Sequence, residues 1–180
     1  MTSYYIEDRL LKVIDNLLTE EECAELIKHI NTSKLEFVDR GIAEYYRLQE
    51  DNPELANKLW NRIKGQLPSV YKGGLICCLN DHFRYSKYQP GMEFGRHRDA
   101  LNQDKHGNRS IFTLNIFLND DFGGGETDFF EESGSLFKSV KPKPGRAALF
   151  DNQIKHCGNK VLNDCKYLLR TDVMITYRGF

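Results

Sequence analysis

The sequence predicts a mainly β protein with helices toward its N-terminus. Three observations carry that expectation. Two helical apolar patterns lie before residue 75, short period-2 runs follow it, and turns bearing glycine or proline separate those runs. The first third reads as mixed helix and strand. Thr19 is a capping hydroxyl with Glu22 three residues on, the signature of a capping box. Cys23, Leu26, Ile27 and Ile30 then make one apolar stripe. Asn52-Pro53 opens a second helix, because proline suits the first helical position. Leu55, Leu59 and Ile63 recur along it, with Glu54 and Lys58 spaced as a surface ion pair. These helices carry no visible chemistry and are expected to brace a sheet.

Candidate strands follow at 75–79, 82–88, 92–98, 110–118, 125–130, 136–140, 146–150, 154–157 and 167–177. Many short strands with regular turns point to a sandwich or small barrel rather than to βαβ units. No internal repeat or low-complexity linker interrupts the chain. The expectation is one domain over 1–180, with a bracing region over 1–74 and a β core over 75–180.

Composition narrows the function classes. A chain of 180 residues is long enough to bury roughly 70% of its unfolded surface as one domain. A net charge of −1 with interspersed signs indicates no large basic field, so nucleic acid is not an expected partner. The five cysteines include no CxxC pair, which argues against a disulfide framework or a structural zinc site. The first residues lack a signal-peptide core and no apolar run reaches membrane-spanning length, so a soluble cytoplasmic protein without membrane partners is expected.

The chemistry-bearing set is His97 and Asp99 in an HRD triplet, then His156, then Arg170 in the run KYLLRTDVMITY. An HxD pair alone says little, since a shuffled chain of this composition would hold about 0.4 of them. Context says more. Period-2 alternation puts His97 and Asp99 on one side of a strand end, where both can reach one ion. Two histidines and one carboxylate are the donor set of a facial triad, which leaves coordination positions open and suits ferrous iron. Asn80, His82, Arg84, Ser86 and Tyr88 are polar at alternate positions. That face reads equally as the lining of a wet cavity, with Arg84 and Tyr88 near ligands, or as a solvated edge with Phe83 and Tyr85 packed inward. In 110–118, Thr113, Asn115 and Phe117 share one face, opposite the apolar Phe112, Leu114, Ile116 and Leu118. The GGGETDF segment lacks the Lys-Ser/Thr of a phosphate loop and reads as a turn before a strand. The polar loop 101–109 follows the HRD strand and is a candidate substrate lid.

FRYSKYQPGMEFGRHRDA (83–100), SIFTLNIFLND (110–120), GGGETDF (123–129), VKPKPGRAALF (140–150), HCG (156–158) and KYLLRTDVMITY (166–177) stand in an order that resembles the iron(II)- and 2-oxoglutarate-dependent oxygenases, in their prolyl 4-hydroxylase-like branch. The resemblance implies a double-stranded β-helix, or jelly roll. It implies His97, Asp99 and His156 as iron ligands, and Arg170 as the cation for the distal carboxylate of 2-oxoglutarate, a task suited to a planar guanidinium. It also implies Tyr88 beside the cosubstrate. Phe117 stands where the family often has a tyrosine, so Asn115 or Thr113 is expected to supply that contact. Cosubstrates would be 2-oxoglutarate and O2, with ascorbate as an auxiliary. The implied reaction hydroxylates an unactivated C–H bond, foremost in a prolyl residue of a protein or peptide. The alternatives are a free amino acid or other small molecule as substrate, or a non-catalytic jelly-roll binding module.

Overall fold

The structure is a computed structural model, and it describes residues 2–177. The first part of the chain forms β1 (Thr2–Ile6), β2 (Arg9–Ile14), α1 (Glu20–Thr32), β3 (Glu36–Asp39), β4 (Glu44–Asp51) and α2 (Pro53–Ile63). Then come β5 (Val70–Tyr71), β6 (Gly74–Leu79), β7 (His82–Tyr88), β8 (Phe94–His97), β9 (Arg109–Phe117) and β10 (Gly123–Gly124). The chain closes with β11 (Thr127–Phe130), β12 (Leu136–Val140), β13 (Ala147–Asp151), β14 (Lys155–Gly158), β15 (Val161–Asn163) and β16 (Lys166–Thr176).

A large antiparallel sheet runs in the order β1-β2-β13-β9-β16-β7-β4-β3, with β6 continuing along β16 and carrying β5. A second sheet, β12-β11-β14-β8, lies against it. Period-2 alternation divides the large sheet into two faces. Leu114 and Ile116 of β9, Leu149 of β13 and Leu169 of β16 pack with Cys23 and Ile30 of α1 and with Leu59 and Ile63 of α2. Their in-register neighbours Phe117, Ala148, Phe150 and Leu168 point the other way and meet Phe129 and Val140 of the second sheet. Two facing sheets with helices on one outer face are consistent with the expected jelly roll.

Both helices start where the sequence places them. Thr19 accepts from the Glu22 amide, and Glu22 returns the bond to the Thr19 amide. Asn52 caps α2 and Pro53 opens it. The surface pairing differs from expectation: Lys58 meets Glu22 at 2.6 Å rather than Glu54. Glu22 also takes a two-pronged contact from Arg62 at 2.7 and 2.8 Å. That convergence holds the start of α1 to α2, and it pulls the Glu22 carboxyl well below its ordinary range, chiefly through Arg62.

The first third contributes more than bracing helices. Its hairpins extend the large sheet at both ends, β2 pairing with β13 and β4 with β7. Two features hide these strands in the sequence. The β1–β2 turn uses Glu7 at φ 58 rather than glycine or asparagine. Strand β4, EYYRLQED, is mostly half-exposed and so lacks a clean apolar alternation. Among the described residues, no helix is long and apolar enough to cross a membrane.

Candidate metal centre and cosubstrate pocket

His97 ends β8 and faces His156 of β14 as its cross-strand partner. Asp99 follows, anchored where its amide donates to the Asn152 carbonyl at 3.0 Å. The ligand atoms of the three side chains lie within 4.8 Å of one another. Asp99 Oδ1 is 3.6 Å from His97 Nε2, and Oδ2 is 3.6 Å from His156 Nε2. Each imidazole is oriented from behind: His97 Nδ1 sits 2.8 Å from the Gly95 carbonyl, and His156 Nδ1 2.9 Å from that of Ile154. A carbonyl can only accept, so both Nδ1 atoms carry the proton and both Nε2 lone pairs face the shared point. Phe94 stacks on His97 at 3.8 Å, and Phe150 meets the His156 ring at 4.6 Å, fixing both ring planes.

The electrostatics favour the metal-binding protonation states. Burial drives the His156 pKa down to about 4, so the ring is neutral near pH 7. Burial alone would raise the Asp99 carboxyl. The Arg170 charge, together with the hydrogen bond donated by the Thr113 hydroxyl, outweighs that effect and holds it well below the usual carboxylate range. A carboxylate and two aligned imidazoles, buried and open on one side, fit a ferrous ion bound facially.

The pocket beside this triad is lined by Tyr45, Ser86, Tyr88, Asn115, Thr127, Lys166, Leu168 and Arg170 among others. The polar face of β7 therefore lines a cavity through Arg84, Ser86 and Tyr88, while Phe83 and Tyr85 are buried beneath it. The cavity reading holds for this face, whereas the solvated-edge reading does not: Phe83 and Tyr85 pack inward, but β7 is paired with β16 on one side and β4 on the other. His82 departs from the cavity and pairs with Asp51 at 2.7 Å. Tyr88 stacks on Tyr45 at 5.2 Å. Asn115 is buried, and among the described residues its Oδ1 has no hydrogen-bond partner, an orphaned acceptor on the pocket wall. Thr113 has a different task from the one expected. Its hydroxyl donates to Asp99 Oδ2 at 2.5 Å, so it positions the metal carboxylate and does not line the cosubstrate pocket.

Two cations project from β16 into the pocket, four residues apart and in phase. Arg170 lies at the metal end, with Nη2 2.9 Å from Asp99 Oδ1 and 3.6 Å from Asp172 Oδ1. Lys166 lies farther along and is buried. Its Nζ donates to the Gly125 carbonyl at 2.7 Å and stands 5.3 and 5.6 Å from the rings of Tyr88 and Phe117. Among the described residues it has no ion-pair partner, and burial lowers its pKa to about 8. Gly125 makes room for it: at φ +71 its missing Cβ would lie 3.1 Å from Lys166 Cδ. The glycine run thus shapes the lysine channel. Sequence reasoning passed over Lys166; the available signal was a lysine heading an apolar strand in phase with Arg170.

Loop 101–109 does not close over the metal. Asn102 reaches the groove and donates to Asp172 at 2.8 Å. The tip instead runs toward Asp81, which Lys105 meets at 3.0 Å.

Residues 83–171 match the family model described as the 2OG-Fe(II) oxygenase superfamily. A PKHD-type hydroxylase from Crocosphaera subtropica is 27% identical over 165 residues, covering 82% of this chain and 70% of the relative. A second, from Acaryochloris marina, is 33% identical over 129 residues; the match covers 65% of this chain but only 57% of that relative's length. In fold, the chain is similar to the collagen prolyl hydroxylase of Paramecium Bursaria Chlorella virus-1. The TM-score is 0.67 at 21% identity, covering 92% of this chain and 96% of the viral one. The ligand triad is assembled inside the matched span, so residues 83–171 carry both the 2OG-Fe(II) oxygenase superfamily match and a complete set of facial metal ligands.

Proposed function

We propose that the protein hydroxylates a prolyl residue of a protein or peptide. Residues 1–180 would act as one oxygenase domain in the cytoplasm. One oxygen atom of O2 enters the C–H bond and the other enters the succinate left when 2-oxoglutarate loses CO2. The observation that carries the reading is the pairing of a buried facial triad with a buried cation farther along the same cavity. His97, Asp99 and His156 hold Fe(II), which supplies the one-electron and oxygen chemistry that side chains lack. Lys166, rather than Arg170, grips the distal carboxylate. Its ammonium makes no ion pair among the described residues, whereas Arg170 is committed to Asp99. Asn115, Thr127 and Tyr88 supply the pocket walls. Arg84 and Arg170 stand at the substrate side of the metal, where both also line the outer groove.

Anaerobic addition of Fe(II) and 2-oxoglutarate should produce a visible charge-transfer band, and His97→Ala should abolish it. Proline-containing peptides should then gain 16 Da only with 2-oxoglutarate present. No band in the native protein overturns the cosubstrate assignment. A product found only with free amino acids overturns the peptide assignment.

A further inference from the structure

Outside the metal, the pocket opens into a groove of about 560 Å³. That falls within the roughly 300–1,000 Å³ of cavities that hold drug-sized ligands. It runs from Arg40 and Ile42 in the β3–β4 turn, across Arg47 of β4, to Arg84, Arg98 and Arg170 around the metal. Five arginines line it, and the one acid in the lining is Asp99, a metal ligand. The net charge of the whole chain is only −1, so this is a local concentration of positive charge.

The arginines differ in how far the protein itself satisfies them. Arg98 is fully engaged, with Nη2 at 2.7 and 2.6 Å from the two Glu132 carboxylate oxygens and Nε on the Gln153 carbonyl. Arg84 and Arg170 share the buried Asp172 at long range, 3.5 and 3.6 Å. Arg47 reaches Glu36 through one nitrogen at 2.8 Å, while its Nε is buried without a partner among the described residues. Arg170 Nε likewise has no partner among the described residues. Arg40 is exposed and its side chain has no partner among the described residues. Planar guanidinium donors left unfilled beside a cleft suit carboxylates, which accept two parallel hydrogen bonds. Between the charges, Ile42 is 55% exposed at the rim, and Phe94 lies stacked on His97.

We propose that this groove binds an acidic peptide segment, with carboxylate side chains flanking the residue presented to the metal, and that Arg40 and Arg47 select for them. A peptide rather than a small anion fits because the lining arginines are spread over the β3–β4 turn, β4, β7 and β16. One small carboxylate cannot satisfy them together. The apolar stretch between them accepts an uncharged residue. Presentation to the metal rests on the hydroxylase reading, but binding in the groove does not require turnover.

The test is fluorescence anisotropy with short labelled peptides carrying a central proline flanked by Glu, Gln or Lys, bound anaerobically with Fe(II) and 2-oxoglutarate present. The Glu peptide should bind about tenfold tighter than the Gln peptide, the factor expected of one charge-assisted contact. The Lys peptide should bind weakest, and added salt should narrow the differences. Arg40→Glu combined with Arg47→Gln should erase the Glu preference. Lys143→Glu, a charge reversal outside the groove, should preserve it. Equal affinities within about twofold, no binding of the Glu peptide, or a Glu preference surviving the double variant each overturn the proposal. So does displacement of the Glu peptide by glutarate or by a single-stranded oligonucleotide at matched concentration. If Glu-dependent binding holds but no 16 Da product forms, the prolyl hydroxylase reading fails and the groove assignment stands.

Discussion

Replacing Lys166 with methionine separates a ligand anchor from a structural residue, because the two roles predict opposite signs for stability. The ammonium is buried, and its pKa falls from 10.5 to about 8 through desolvation. That 2.5-unit drop means burial disfavours the charged form by about 3 kcal/mol. The charged form is the one present at pH 7. Against this stands its bond to the Gly125 carbonyl at 2.7 Å, worth about 1.5 kcal/mol as a contact to a charged donor. Lys166→Met keeps the chain length and removes both terms, leaving the ligand-free protein more stable by roughly 1–2 kcal/mol. In a protein of this size that raises Tm by roughly 3–6 °C. Ligand response should move the other way. At a hundredfold excess over its Kd, 2-oxoglutarate stabilises the native protein by about 2.7 kcal/mol. Losing a gripped carboxylate, about 3 kcal/mol, weakens binding roughly a hundredfold and shrinks that gain to about 0.4 kcal/mol. Anaerobic thermal melts with Fe(II), with and without 2-oxoglutarate, measure both quantities. A variant that melts lower than the native protein yet keeps the full 2-oxoglutarate shift would refute the reasoning and return the anchor to Arg170.

Further outcomes follow from the same geometry. Thr113→Val removes the hydroxyl that donates to Asp99 Oδ2 and should weaken metal binding about 10- to 100-fold in an anaerobic titration, with Thr113→Ser restoring it. Gly145 adopts φ +73, and an added Cβ would lie 2.0 Å from the Leu18 carbonyl oxygen. Gly145→Ala should therefore cost at least about 3 kcal/mol in urea denaturation. Buried His156 protonates near 4 in the folded state against an ordinary 6.5. Between those values the unfolded chain binds the extra proton, so stability of the metal-free protein should fall by about 1.4 kcal/mol per pH unit as pH drops from 6.5 toward 4. His156→Gln should flatten that slope; an unchanged slope would place the proton elsewhere.

Much of the β core was legible because its strands are short, alternate cleanly and end at glycine or proline. Strand β7 matches its expected bounds of 82–88, and β12 those of 136–140. The capping residues Thr19 and Asn52 named both helix starts, since caps are local chemistry. The hairpins β1–β2 and β3–β4 were not located, because what makes them strands is pairing with β13 and β7 rather than any periodicity of their own. The metal ligands could be read for a different reason: two of them sit two residues apart, and the motifs around all three stand in the order of the resembling family.

By itself, the sequence determined the class of chemistry: two histidines and a carboxylate on a turn-rich β framework, with a cation on the last long strand. Which cation does what was a tertiary decision. Lys166 and Arg170 share a face, and only the meeting of β16 with Gly125 on one side and Asp99 on the other tells them apart. The groove is the same case on a larger scale. Arg40, Arg47, Arg84, Arg98 and Arg170 are scattered among acids along a nearly neutral chain, and folding gathers them around one opening. Charge composition is additive along a sequence, but the field at a site depends on distance, and only the fold sets distances.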